Sequence, residues 1–181
     1  LRQQNEDVTA WLYLPDSVIN YPVLQHGDND YYLTRQIDGS YNKNGSIFMD
    51  YRNESDFSDR NTIIYGHHMR TGNMFGKLVN FKSDSYYQQH DHMFIMTPQV
   101  TYRLELLCGA VVEPDDPIYS IDPTEEALAA CMRRSTFQTK LDLPGEEARL
   151  VTLSTCSYEF EDARYIVIGV LTPLEVTVKN S

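Results

Sequence analysis

The chain has few cysteines: Cys108, Cys131 and Cys156, with no Cys-x-x-Cys pair among them. That excludes zinc-ribbon and thioredoxin-like readings. The odd count argues against a disulfide framework, since at least one thiol stays free or pairs with another molecule. Basic residues are also scarce, 15 Lys and Arg against 26 Asp and Glu, for a net charge of −11. A phosphate backbone is repelled by such a surface, so nucleic acid is excluded as a partner. The excess of carboxylates serves solubility and, more weakly, draws a substrate that carries an amine. No apolar run approaches the roughly 20 residues of a membrane-spanning helix. The longest, Leu104 to Val112, is broken by Glu105 and Gly109. The chain opens on Leu1 rather than Met and shows no signal peptide, so it reads as a trimmed segment from which an export signal or anchor would have been removed.

What is present fits one domain spanning residues 1–181. Hydrophobic residues make up 41% and charged residues 23%, an ordinary folded composition, and 13 Tyr with 7 Phe suit a β-rich core. Strands are predicted at Trp11 to Leu14, Tyr21 to Gln25, Ser46 to Asp50, Thr62 to Tyr65, His92 to Thr97, Thr101 to Val112, Arg149 to Thr155 and Arg164 to Leu171. Short helices are predicted at Asp28 to Arg35, Met74 to Phe81 and Ser83 to His90. A longer one is predicted at Asp122 to Phe137, capped by Thr124, with Glu125 and Glu126 at its positive end and Arg133 and Arg134 at its negative end. About eight short strands with few helices predict a mostly β chain closed as a barrel or stacked as a sandwich.

Chemistry concentrates at strand ends. Arg149-Leu-Val-Thr-Leu-Ser-Thr155 runs into Cys156, and Arg164 opens Tyr-Ile-Val-Ile-Gly-Val. If these strands pair as an antiparallel hairpin, Cys156 and Arg164 share one rim. There a cation favours the thiolate and offers donors to an oxygen that gains charge during acyl transfer. The plainer alternative pairs Arg164 with Glu161 or Asp162 at the surface. Asn61-Thr-Ile-Ile-Tyr65 ends at Gly66, and His67 follows. If that strand runs parallel to the one before Cys156, His67 reaches the same rim as a general acid and base. His68 would point the other way, and His90-Asp-His92 reads as a solvated turn rather than a metal site. Cys108 and Cys131 read as small buried hydrophobes. Papain-like proteases place Cys before His, and caspases carry Gln-Ala-Cys, so Thr-Leu-Ser-Thr-Cys following His67 by 89 residues fits neither.

Thr152-Leu-Ser-Thr-Cys156, Arg164 eight positions later, and Asn61-Thr-Ile-Ile-Tyr-Gly-His67 upstream together resemble a sortase. Trp11-Leu-Tyr-Leu-Pro, Ile19-Asn-Tyr-Pro-Val23, Asp28-Asn-Asp-Tyr-Tyr-Leu33 and Gly45-Ser-Ile-Phe-Met-Asp50 are similar to class B sortases in particular. The resemblance implies an eight-stranded sortase-type β-barrel with an N-terminal helical region and a helix inserted before the strand leading to the cysteine. It implies a cysteine transpeptidase of the Gram-positive cell envelope, held to the extracellular face of the membrane by an N-terminal anchor absent from this chain. Cys156 would cut a C-terminal sorting motif of secreted proteins after Thr, with His67 and Arg164 as partners, and pass the thioester to a peptidoglycan precursor amine. Alternatives with the same residues are a cysteine peptidase that uses water and a sortase that polymerises pilins. No cofactor or metal is expected. By the same resemblance Asn29, Leu33, Ile118, Tyr119, Ser154 and Thr155 would line the peptide groove. Where some class B relatives carry an acid soon after the cysteine, this chain has Ser157 and Tyr158 before Glu159, and no fourth catalytic acid is assigned.

Overall fold

The computed structural model describes residues 5–174. Eight strands form: β1 (Val8–Tyr13), β2 (Asn20–Leu24), β3 (Ile47–Met49), β4 (Asn61–Tyr65), β5 (His92–Met96), β6 (Thr101–Val112), β7 (Leu150–Cys156) and β8 (Arg164–Pro173). Two α-helices, α1 (Asp84–Gln89) and α2 (Glu125–Arg133), join them with three 3-10 turns, Tyr31–Leu33, Leu78–Lys82 and Pro117–Tyr119. The strands close into a barrel in the order β1-β2-β3-β4-β7-β8-β6-β5. Closure leaves no free sheet edge. Among the described residues the first regular element is β1, so the N-terminal helical region that the resemblance implies is not seen there.

The last two strands are buried on both faces, which is why they read as nearly continuous apolar runs. Val151, Leu153, Tyr165 and Val167 point into the barrel core with Leu12, Ile64 and Leu104. Their alternate neighbours Leu150, Ile166 and Ile168 point outward, where Leu128 and Cys131 of α2 cover them. Period-two alternation thus puts one set inside and gives the helix the other. α2 forms where Thr124 supplies its hydroxyl to the amide of Ala127 at 3.2 Å.

The helices are shorter than predicted, for local reasons. Asp28 accepts from the amides of Asp30 and Tyr31, which makes a turn, and only Tyr31–Leu33 coils before Arg35 bridges to Tyr41. Met74 takes a left-handed backbone, φ 53°, and its amide donates to the Tyr21 hydroxyl, so coiling begins only at Leu78. α2 stops at Arg133 because Ser135 and Thr136 turn their hydroxyls to the backbone of Gly109, Phe137 and Phe81.

Candidate active site

Two pairings bring Cys156, His67 and Arg164 to one rim. β7 and β8 run antiparallel with Cys156 opposite Arg164. β4 and β7 run parallel with Tyr65 opposite Ser154, so Gly66 and His67 emerge beside Thr155 and Cys156. Two hydrogen bonds lock this exit. The Gly66 amide donates to the Ser154 carbonyl at 3.1 Å, and the buried Thr155 hydroxyl donates to the Gly66 carbonyl at 2.7 Å. Gly66 is required sterically, since a Cβ there would sit 2.4 Å from Ile47 Cδ1 and 2.7 Å from the Phe75 ring.

His67 Nε2 lies 2.7 Å from the carbonyl oxygen of Leu33. A carbonyl only accepts, so Nε2 carries a proton in either charge state and the exchangeable site is Nδ1. His68 turns the opposite way, and its Nδ1 donates to the Cys156 carbonyl at 2.9 Å. Arg164 makes no carboxylate pair among the described residues. Its Nη1 donates to the backbone carbonyls of Asp162 at 2.8 Å and Ala163 at 3.3 Å, leaving Nε and Nη2 without a protein partner among the described residues. Glu159 faces Lys82 and Ser157, not His67. His90 bonds the Tyr86 carbonyl and His92 pairs with Asp91, away from this rim.

The three residues share a cavity of about 220 Å³ with Asn29, Leu33, Ser154 and Thr155. A wider, polar recess of about 770 Å³ adjoins it through Asn29, Tyr65 and Arg164, and Tyr119 lines its far side. Together they make one groove that ends at Cys156. The side chains of Ser154 and Thr155 are already bonded within the protein, to the Tyr119 hydroxyl at 2.7 Å and to Gly66, so they hold the strand and offer the groove mainly backbone. Ile118 is a correction: it is fully buried against α2 in the second core cluster, because an apolar residue in a 3-10 turn points at the helix while Tyr119 takes the groove side.

Sequence reasoning missed the groove floor. Asp50 is 0% exposed and accepts from Arg52 Nε and Nη2, both at 2.9 Å, from the Tyr65 hydroxyl at 2.9 Å and from Asn29 Nδ2 at 3.2 Å. Burial works to raise its pKa, but the bonds from Arg52 and Tyr65 outweigh that and hold it below the ordinary carboxylate value. Arg52 reaches on to the Tyr119 carbonyl at 3.2 Å, joining the floor to the opposite wall. The amide oxygen of Asn29 accepts from the Tyr51 amide and one Nδ2 hydrogen goes to Asp50, so the second Nδ2 hydrogen and one lone pair of the oxygen are left for a ligand. The signal for this network is an acid closing the apolar strand Ile47–Met49 with an arginine two residues on.

The three thiols are unequal. Cys108 and Cys131 are buried with their sulfurs 3.5 Å apart, and that contact together with burial pushes the Cys108 thiol pKa well up. Cys156 alone is partly exposed. A thiol-reactive probe is therefore expected to modify one cysteine in the folded protein and three after denaturation, read by intact mass. Two or more modified at native pH would contradict this burial.

Comparisons with known proteins agree with the fold. A family profile described as a sortase domain matches residues 12–172. Sortase B of Listeria monocytogenes is 34% identical over 180 residues, covering 94% of this chain and 72% of that protein. The Staphylococcus aureus sortase B–substrate complex superposes with a TM-score of 0.90 at 28% identity, covering 96% of this chain and 83% of that one. A Streptococcus pyogenes class B sortase involved in pilus biogenesis superposes at 0.85 with 32% identity, covering 94% and 95%. With a thiol, an imidazole and a guanidinium on one rim of such a barrel, the chain belongs to the sortase family of cysteine transpeptidases, in its class B.

Proposed function

We propose that this protein cleaves a C-terminal sorting motif of secreted proteins after Thr and transfers the new carboxyl end to a peptidoglycan precursor amine. The observation that carries the reading is the cavity shared by Cys156, His67 and Arg164, which adjoins a wider polar recess of about 770 Å³. The Cys156 thiolate attacks the Thr carbonyl, and the free N–H groups of Arg164 stabilise the oxyanion that forms. His67 Nδ1 gives a proton to the leaving amine as the C–N bond breaks, leaving a thioester on Cys156. His67 then takes a proton from the incoming amine, which attacks the thioester, forms the new amide and releases the Cys156 thiolate, restoring the starting pair. The S. aureus substrate complex supports a peptide in the equivalent groove.

The Gram-positive cell envelope is where this reaction would run, at the extracellular face of the membrane. No helix among the described residues is long and apolar enough to cross a membrane. A pilin lysine as acceptor is the second reading, favoured by the similarity to the S. pyogenes enzyme. Water as acceptor uses the same three residues.

The test is a library of fluorescent sorting-motif peptides, incubated with and without amine acceptors, using this chain and Cys156→Ala. Cleavage after Thr that disappears in the variant, with an amide product when amine is added, is the expected result. A hydrolysed product alone, unchanged by amine, would make this a peptidase. Cleavage that persists in Cys156→Ala would remove Cys156 as nucleophile.

A further inference from the structure

Arg164 has to be aimed, and nothing on its own strand aims it. Its guanidinium hangs from two backbone carbonyls, those of Asp162 and Ala163, in the connection between β7 and β8. Asp162 takes a left-handed conformation, φ 59°, which is uncommon for non-glycine residues though less so for Asp, and it sharpens the turn that precedes Arg164. The direction of the guanidinium thus depends on the shape of residues 157–163. That connection is mostly solvent-facing: Tyr158 is 70% exposed and Phe160 42%. Such a segment has little apolar burial to hold it.

Its one strong polar tether comes from elsewhere in the chain. Lys82 Nζ donates to the Ser157 hydroxyl at 2.8 Å and pairs with the carboxylate of Glu159. The Ser157 hydroxyl in turn donates to Glu159, and the Ser157 amide donates to the Ala163 carbonyl at 2.8 Å, closing the base of the connection. The ammonium also lies 5.1 Å from the ring centre of Tyr165, the residue after Arg164. Lys82 has a firm footing. It ends the 3-10 turn Leu78–Lys82, whose Leu78 and Phe81 are fully buried, and the Phe81 carbonyl is bonded by Thr136 at 2.9 Å. An isolated exposed ion pair contributes little. This one differs, because one ammonium meets a hydroxyl, a carboxylate and a ring that all belong to the two arms around Arg164.

We propose that Lys82 is a positioning residue for the reaction. Through Ser157 and Glu159 it holds the connection between Cys156 and Arg164 in the shape that points the Arg164 guanidinium into the groove. Glu159 then acts as the far end of a strap and not as a catalytic acid. The proposal rests on the transpeptidase reading for its kinetic test. Its structural test does not.

The kinetic test compares Lys82→Met, Glu159→Gln, the double variant and Lys82→Arg on a cleaved peptide. A displaced guanidinium is expected to lower kcat in Lys82→Met by about 10- to 100-fold, since a shift of roughly 1 Å in a catalytic group has that scale, with a smaller change in KM because Asn29, Tyr65 and Tyr119 keep their places. The double variant is expected to be no worse than the worse single one, as for two ends of one strap. Lys82→Arg should restore most of the rate. The structural test follows the Arg164 side-chain Nε–H resonance in nitrogen-labelled protein, assigned by its loss in Arg164→Lys. It is expected to shift in Lys82→Met and stay near its wild-type position in Lys82→Arg. An unmoved resonance, an unchanged kcat in a folded Lys82→Met, or a loss expressed only in KM would each overturn the proposal. A wild-type protein that cleaves no peptide would sink the functional reading, while the resonance would still report on the strap.

Discussion

Arg164→Ala is expected to lower kcat by about 10²–10³-fold, the loss typical of removing an oxyanion donor, while leaving the fold nearly as stable as before. The second half follows from its contacts. Among the described residues Arg164 makes no ion pair, and its protein bonds go to two carbonyls of a solvent-facing connection that water can serve in its place. Arg164→Lys is expected to recover little of the rate. The guanidinium anchors itself by Nη1 and still presents Nε and Nη2, whereas an ammonium has a single nitrogen to do both jobs. Steady-state kinetics on a cleaved peptide with thermal melts of the same preparations would read both halves. A variant that keeps wild-type kcat, or that loses activity only by unfolding, would contradict the role. Alkylation of Cys156 should remain possible in Arg164→Ala, because the sulfur is held by β7 and not by the arginine.

Asp50→Ala is expected to cost about 3 kcal/mol of stability, the low end for breaking a buried pair, because Arg52 keeps some access to water. For a domain of this size that lowers the melting midpoint by roughly 6–12 °C. The loss leaves the Tyr65 hydroxyl, Asn29 Nδ2 and the Arg52 guanidinium without their shared acceptor. It should also raise KM more than it lowers kcat, since Asn29 and Tyr119 flank the groove and His67, Cys156 and Arg164 do not touch Asp50. The pH dependence has a definite sign. The folded pKa of Asp50 lies below its reference value of 3.8, so its stabilisation is fully present above that value and fades as pH falls through the folded one. The stability gap between the wild type and Asp50→Asn should therefore stay constant from neutrality to about pH 4 and close only in stronger acid. A gap that closes between pH 7 and 5 would show that another group carries it.

The rim logic is legible in the sequence. Thr152-Leu-Ser-Thr-Cys156 and Arg164-Tyr-Ile-Val-Ile are β-branched and apolar runs with their reactive residues at the ends, and Gly66 marks where the strand before His67 must stop. Both conditional pairings, antiparallel for β7 and β8 and parallel for β4 and β7, are those observed. Residue spacing overdraws the helix lengths, because Asx turns at Asp28 and hydroxyl bonds at Ser135 and Thr136 interrupt coils that spacing alone would continue. Ile118 and Tyr119 cannot be separated by sequence, since a 3-10 turn sends neighbours in different directions and only the position of α2 says which is inside.

By itself the sequence determined the chemical inventory: which residue types end which strands, and hence a thiol, an imidazole and a guanidinium displayed at strand ends. Those are local properties, set by side-chain periodicity and by where glycine and polar residues interrupt it. Only the tertiary structure decided which ends meet, that Leu33 fixes the proton on His67, that Asp50 lies beneath the groove and that Lys82 reaches the connection beside Arg164. Each of these joins residues from separate parts of the chain through barrel closure. Closure depends on long-range pairing and burial, and a local reading of the chain has no access to either.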